Sequence, residues 1–120
     1  MSLSCLHRGI PPFHYMVAAA GGKDIRCARY ATFATQARSD LILAALQNRR
    51  TCPMANHGLV AAGANPVAAL ALAMEVEELC AQYWGAKLVG QPVLLSDAEM
   101  DKVLERFKYY GQRGADPAGS

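Results

Sequence analysis

The stretch from Asn65 to Leu88 constrains the fold of this chain more than any other part. Asn65 is a favourable N-cap, and Pro66 suits the first helical position, where a backbone N–H would have no intrahelical partner. Apolar residues recur at helical spacing on one stripe: Leu72, Val76, Leu79 and Tyr83. A second face carries Leu70, Met74, Glu77, Glu78 and Ala81. The pattern predicts a long helix that ends at about Leu88.

Shorter elements are predicted before that helix. Pro11-Pro12 favours an extended segment, and residues 14–20 are predicted as a short helix that stops at Gly21-Gly22. Residues 25–30 are predicted as a short strand. Ser39 is predicted to cap a helix over residues 41–46. Residues 50–60 are predicted as one strand, interrupted near Pro53 and Gly58.

The C-terminal part of the chain predicts one more helix. Ser96 and Glu99 have the spacing of a capping box, and the apolar positions that follow are Met100, Val103, Leu104 and Phe107. The helix is predicted to end at Gly111, and residues 112–120, rich in Gly and Ala, are predicted to be a disordered tail. Strands that alternate with helices predict an α/β class.

Composition narrows the classes of partner. The 120 residues are 52% hydrophobic and 18% charged, which predicts one domain with more apolar surface than a chain of this size can bury. The excess is predicted either to serve oligomerisation or to have been exposed by truncation. A net charge of +2 without a basic stripe argues against nucleic acid. No apolar run is long enough to span a bilayer, and no secretory signal is recognisable. The cysteines, Cys5, Cys27, Cys52 and Cys80, form no Cys-x-x-Cys pair and are predicted to be reduced and buried in a cytoplasmic protein.

His57 and Tyr15 are the residues best suited to chemistry. The run Asn56-His57-Gly58 places a histidine where a strand gives way to a turn. Imidazole suits zinc, but a catalytic zinc needs about three protein ligands, and a lone histidine is more often structural. A tyrosine such as Tyr15, taken by itself, is more often a core or interface aromatic. Glu75, Glu77 and Glu78 are interpreted as a solvated helical face.

Four segments together resemble the class II (zinc-dependent) aldolase and adducin family. They are Ile-Pro-Pro-Phe-His-Tyr-Met-Val-Ala-Ala-Ala at residues 10–20, its continuation through Phe33, the Asn56-His57-Gly58 run, and Val-Leu-Glu-Arg-Phe-Lys-Tyr-Tyr-Gly at residues 103–111. The resemblance extends from about Cys5 to Gly111. It implies part of a three-layer α/β/α sandwich with a mainly antiparallel central sheet. One departure is Ala34, which stands where the family usually has glycine.

The resemblance also implies roles for individual residues. His57 corresponds to a zinc ligand, and Tyr15 to a proton donor for the aldehyde oxygen that acts across a subunit boundary. Phe33, Phe107 and Tyr110 correspond to aromatic residues at the aldehyde end of the substrate pocket. The implied reaction is cleavage of a sugar phosphate of the fuculose-phosphate type to dihydroxyacetone phosphate and an aldehyde, in a homo-oligomer that is a tetramer in the family.

Other parts of the family's site have no counterpart in this sequence. The family carries a His-x-His pair of zinc ligands and a catalytic glutamate upstream of the matching segments. We therefore expect residues 1–111 to be the C-terminal portion of an aldolase-like domain, with zinc absent or weakly bound and no activity from this chain alone. A non-catalytic adducin-like interaction module and the family's sugar-phosphate epimerase branch are the alternatives.

Overall fold

The computed structural model describes the backbone of residues 2–113 and the side chains of residues 3–108. The helices are α1 Ser2–Cys5, a 3-10 helix Tyr15–Ala20, α2 Gln36–Ala45, α3 Pro66–Val89 and α4 Asp97–Arg113; the strands are β1 Thr51–Met54 and β2 Gly58–Ala61. Residues 114–120 of the predicted tail lie outside the described residues. None of the described helices has the length and apolar character needed to cross a membrane.

The predicted long helix is confirmed as α3. The Asn65 Oδ1 atom accepts a hydrogen bond of 2.8 Å from the Ala68 N–H, so the predicted N-cap starts the helix. On the predicted stripe, Val76, Leu79 and Tyr83 are buried. Leu72 is partly buried and packs against the same core.

The prediction of one interrupted strand over residues 50–60 was wrong, because this stretch folds back on itself. β1 and β2 form a two-stranded antiparallel sheet in which Thr51 pairs with Ala61 and Met54 with Gly58. Asn56 has a φ of 58°, in the left-handed region that asparagine tolerates better than most residues, and Gly58 has a φ of 157°. These two torsions reverse the chain within three residues.

Three other predicted boundaries also differ. Thr35, not Ser39, caps α2, since its hydroxyl accepts a hydrogen bond from the Arg38 N–H. The predicted strand at residues 25–30 is reduced to two isolated bridges, at Ile25 and at Ala28. The last helix begins as predicted, with the Ser96 hydroxyl accepting from the Glu99 N–H, but its backbone continues past Gly111 to Arg113.

The main core lies between α3, the 3-10 helix and α4. Its fully buried side chains include Ile10, Val17, Ile25, Val76, Leu79 and Met100. A smaller cluster of Ala28, Ala45 and Cys52 lies between α2 and β1. Because α3 packs against β2 as well as against the 3-10 helix, it holds the β-hairpin and the Tyr15 segment in one body.

The predicted burial of the cysteines is confirmed for two of the four. Cys52 and Cys80 are buried, Cys27 is partly buried and Cys5 is exposed, and all four are free thiols. Burial raises the pKa of the Cys52 thiol to about 11, because the apolar surroundings disfavour the thiolate.

We expect the cysteines to differ in alkylation rate for this reason. At pH 8 only about 0.1% of Cys52 is thiolate if its pKa is about 11, whereas the thiolate is the reactive species. Iodoacetamide should therefore modify exposed Cys5 first, and the Cys52 rate should rise as the pH approaches 11. Peptide mass spectrometry over a pH series measures both rates. Equal rates at Cys5 and Cys52 at pH 8 would contradict this account.

Candidate functional site

His57 lies in the turn between the two strands. Its N–H donates a hydrogen bond of 2.9 Å to the Met54 carbonyl oxygen, which closes the turn. Its side chain is exposed, so the imidazole is free of the core and accessible to a ligand. Gly58, which follows it, is buried and begins β2.

The N-terminal segment holds this turn in place. The Asn56 N–H donates to the Ser4 carbonyl oxygen at 2.9 Å, and the Asn56 Oδ1 atom contacts the Nε2 atom of His7. Ser4 itself is buried. The residue before His57 is therefore tied to α1 through both its backbone and its side chain, which restricts where His57 can point.

Phe33 and His57 share a small cleft of about 120 Å³. The Phe33 side chain is 73% exposed, and Arg29 and Arg38 also line the cleft. The Arg38 guanidinium lies 3.4 Å from the Met54 sulfur, on the strand that leads into the turn. No carboxylate is among the described residues of this lining, so the cleft is basic.

The described residues do not assemble a metal site around His57. Among residues 3–108, no group of three or more His, Cys, Asp or Glu side chains is close enough to hold a metal ion. His14 has a different role, since its Nδ1 atom accepts from the Met16 N–H at 3.1 Å and caps the 3-10 helix.

Tyr15 is the first residue of the 3-10 helix and is 53% exposed. Its ring stacks on the His14 ring, with centroids 4.9 Å apart and an interplanar angle of 24°. Because His14 is also the cap of this helix, one residue both starts the helix and packs against the tyrosine ring. Gly21, with a φ of 96°, ends the helix as the sequence predicts.

An apolar pocket of about 290 Å³ adjoins Tyr15. Met16 comes from the 3-10 helix, and Val103 and Phe107 come from α4. Arg106 is the one charged side chain among the described lining residues. The pocket can therefore receive a small apolar group beside Tyr15.

The structure divides the predicted site residues into two groups. His57 and Phe33 line the small basic cleft, whereas Tyr15 and Phe107 line the apolar pocket. No described pocket contains both His57 and Tyr15. Tyr110 belongs to α4 by its backbone, but its side chain lies outside the described residues.

Two arginines have roles that sequence reasoning missed. Arg38 was not singled out, and nothing in the local pattern places it beside the His57 turn. Arg49 is mostly buried and pairs with Asp24 at 2.6 Å. Its guanidinium lies against Gly22, where a β-carbon would meet it at about 2.1 Å, so any other residue at this position would force the Arg49 side chain to shift.

Comparison with protein families finds a match over most of the chain. The family described as Class II Aldolase and Adducin N-terminal domain matches residues 1–84.

Curated proteins with similar sequences are aldolases. The chain is 50% identical over 116 residues to a 5-methylthioribulose-1-phosphate/5-deoxyribulose-1-phosphate aldolase of Rhodospirillum rubrum, covering 97% of this chain and 52% of that protein. It is 48% identical over 113 residues to an L-fuculose phosphate aldolase of Escherichia coli K12, covering 93% and 53%. The chain thus spans about half the length of the curated relatives it matches.

A solved structure has the same fold. An L-fuculose 1-phosphate aldolase matches with a TM-score of 0.85 and 41% identity, over 89% of this chain and 50% of that one. The predicted α/β fold of class II aldolase type is therefore confirmed.

The backbone conformation of Ala34, the residue that follows Phe33, can be tested by substitution. Ala34 has a φ of 60°, a left-handed conformation that costs a residue with a β-carbon about 1–2 kcal/mol. Ala34→Gly removes this strain but gives the unfolded chain more freedom, so we expect a net gain of up to about 1 kcal/mol in the free energy of unfolding.

Urea unfolding measures this change. The matched control is Ala71→Gly, an exposed position inside α3, which should lower stability by about 1 kcal/mol. A loss of stability in both variants would show that Ala34 is not strained.

Proposed function

The chain belongs to the class II aldolase and adducin family, and on that premise we propose that it forms part of an aldolase that cleaves a sugar 1-phosphate. The products would be dihydroxyacetone phosphate and an aldehyde. The observation that carries this proposal is the exposed Tyr15 beside an apolar pocket that also contains Phe107.

The proposed role of Tyr15 is proton transfer at the aldehyde oxygen. A positioned phenol can donate a proton to an oxygen that gains charge as the carbon–carbon bond forms, and it accepts the proton back in the cleavage direction. The stacked His14 ring and the 3-10 helix restrict the position of the Tyr15 ring. This ordering supports the role, because proton transfer requires hydrogen-bonding distance in the reacting complex.

The proposed role of His57 is that of one zinc ligand. Its exposure supports this role, but one imidazole and two nearby guanidinium groups do not by themselves fit a divalent cation, which needs about three ligands. The other ligands would come from polypeptide outside the described residues. Zinc, when bound, would act as a Lewis acid towards substrate oxygens that gain negative charge.

The separation of Tyr15 from His57 supports a site shared between subunits. Since the two residues line different pockets, the Tyr15 of one chain would serve the His57 of a neighbour. We therefore propose a homo-oligomer with closed symmetry, in which each site draws residues from two copies. Phe33 would approach the substrate from the His57 side, and Phe107 and Tyr110 from the Tyr15 side.

The lining of the Tyr15 pocket supports a substrate whose far end is apolar. Met16, Val103 and Phe107 offer apolar surface, so a hydroxylated group placed against them, away from Tyr15 and Arg106, would lose its hydrogen bonds to water. The relatives act on 5-methylthioribulose 1-phosphate, 5-deoxyribulose 1-phosphate or fuculose phosphate. We propose that this chain serves the methylthio or deoxy class.

The role of Tyr15 is testable in a chimera in which this chain replaces the matching half of the R. rubrum aldolase. We expect the chimera to cleave 5-methylthioribulose 1-phosphate, and Tyr15→Phe to lower kcat by about 10²–10⁴-fold because the group that accepts the hydroxyl proton during cleavage is lost. Leu43→Ala, an exposed position on α2, should leave kcat unchanged.

A coupled assay of dihydroxyacetone phosphate release measures these rates. An active chimera whose Tyr15→Phe variant keeps full activity would remove Tyr15 from the mechanism. A folded chimera without cleavage would contradict the enzyme proposal and favour the adducin-like interaction module.

Metal content tests the role of His57 separately. We expect the 120-residue chain alone, dialysed against a weak chelator, to retain much less than one zinc per chain, because it supplies too few ligands. The chimera should retain about one zinc, and His57→Ala should remove it. About one zinc on the chain alone would mean that His57 has co-ligands from this chain or a second copy.

A further inference from the structure

Tyr15 lies in a loop whose two ends are joined in the core. Ile10 and Ile25 donate backbone hydrogen bonds to each other, of 2.8 and 2.9 Å, and both side chains are buried. Residues 10–25, here named the Tyr15 loop, therefore leave the core and return to it at one point. The 3-10 helix forms the middle of this loop, and residues 21–24 lead from the helix back to Ile25. The position of the Tyr15 ring depends on what holds both halves of the loop.

The first half of the Tyr15 loop is held by the main core and by the segment before α4. The Leu95 N–H donates to the Pro12 carbonyl oxygen at 2.8 Å. The Phe13 ring packs on the Tyr83 ring, with centroids 5.1 Å apart. These contacts fix the chain as it enters the 3-10 helix.

The second half is held by the turn between α2 and β1, residues 48–50, here named the α2–β1 corner. The Arg50 N–H donates to the carbonyl oxygen of Ala20, the last residue of the 3-10 helix, at 2.6 Å. The Arg49 guanidinium binds Asp24 twice: Nε donates to the carbonyl oxygen at 2.8 Å, and Nη2 donates to a carboxylate oxygen at 2.6 Å. The corner thus holds the loop both at the end of the helix and at its return to the core.

Arg49 fits this place through its shape and its burial. Its side chain is 15% exposed, and its third nitrogen, Nη1, donates to the Asn48 carbonyl oxygen at 3.0 Å. A planar guanidinium holds several acceptors at fixed angles, whereas a lysine ammonium acts as a single point charge. The guanidinium also lies against the Gly22 backbone, where a β-carbon would collide with it. Few paths of the loop satisfy all these contacts, so Arg49 restricts how the loop returns.

We propose that Arg49 is a positioning residue for Tyr15. By holding Asp24, it fixes the second half of the Tyr15 loop, and with it the 3-10 helix that begins at Tyr15. This inference rests on the proposed proton transfer by Tyr15, which requires hydrogen-bonding distance in the reacting complex. A displacement of about 1 Å can cost about 10²-fold in rate, even when the substitution lies far from the reacting atoms.

The α2–β1 corner also links the two groups of candidate residues within one chain. Strand β1 begins at Thr51, directly after the corner, and leads into the turn that carries His57. The corner binds the Tyr15 loop at Ala20 and Asp24. Its hydrogen bonds therefore set where a chain holds Tyr15 relative to His57. In an oligomer whose sites draw on two chains, that relation determines whether Tyr15 reaches the neighbouring site.

Hydrogen–deuterium exchange of the 120-residue chain measures the effect of Arg49 on the loop without an activity assay. We expect Arg49→Met to raise exchange at least about 10-fold in peptides from residues 16–25, with no change around Val76 in α3. Gly22→Ala should act in the same direction, because its β-carbon displaces the guanidinium. Arg50→Met is the matched control, since the Arg50 side chain is exposed and its bond to the loop comes from the backbone N–H, which methionine keeps.

Two exchange results would overturn the proposal. One is unchanged exchange over residues 16–25 in Arg49→Met. The other is a rise in both Arg49→Met and Gly22→Ala that includes α3 equally. In that case Arg49 serves the stability of the whole fold and not the position of the loop.

A double-mutant cycle in the R. rubrum chimera tests whether Arg49 acts through Tyr15. We expect Arg49→Met to lower kcat about 10-fold or more, with KM within about 2-fold and about one zinc per chain retained. In the Tyr15→Phe background the same substitution should lower kcat no further, because the phenol that it misplaces is already absent. Arg49→Lys, which keeps the charge and can restore one bond, should recover part of the lost rate. An equal loss in both backgrounds, or a loss confined to KM, would show that Arg49 does not position Tyr15.

Failure of the proposed function gives a different pattern. A chimera that does not cleave the substrate, or one whose Tyr15→Phe variant keeps full activity, contradicts the proposed function and removes the kinetic consequence of Arg49. Exchange over residues 16–25 still shows whether Arg49 holds the loop. A rate loss in Tyr15→Phe without any loss in Arg49→Met contradicts the role of Arg49 alone.

Discussion

Burial of the apolar stripe of α3 is the interaction on which the rest of the described structure depends. Val76 and Leu79 pack with the 3-10 helix and α4. The centroid of the Tyr83 ring lies 5.1 Å from that of Phe13, which belongs to the segment that leads to Tyr15. The same helix also packs on β2, which carries the His57 turn. One apolar stripe therefore sets the relative positions of both groups of candidate site residues.

Hydrogen bonds of neighbouring residues orient the two candidate residues, His57 and Tyr15. Asn56 is held by Ser4 and His7, so His57 is presented without using its own ring. His14 caps the 3-10 helix and stacks on the next residue, Tyr15. In both places the preceding residue makes the hydrogen bonds that hold the segment, and the side chain of the candidate residue stays exposed. Because both side chains are exposed, a ligand could reach His57 and a substrate could reach Tyr15.

Sequence reasoning was strongest where a local rule is sufficient. The Asn65 cap, the start of the last helix at Ser96 and the stop at Gly21 depend on neighbours within four residues, and each was predicted. It failed where two nearby residues both suited the same role, and where the interacting residues are far apart in the sequence. Thr35 and Ser39 both suit an N-cap, and Thr35 takes the role because its backbone is extended and its hydroxyl accepts from the Arg38 N–H. The pairing of Arg49 with Asp24 joins residues 25 positions apart, which no local pattern reports.

The sequence by itself determined the long helix, the α/β class and the family, because periodicity, caps and motif residues are properties of neighbouring positions. It also indicated, through its apolar excess, that some surface would need a partner. Only the tertiary structure decided that residues 50–60 form a hairpin, that His57 and Tyr15 line separate pockets, and that several large apolar side chains of α3 stay exposed. Those outcomes depend on which distant segments pack together, and that choice is made by burial of the whole core rather than by any local pattern.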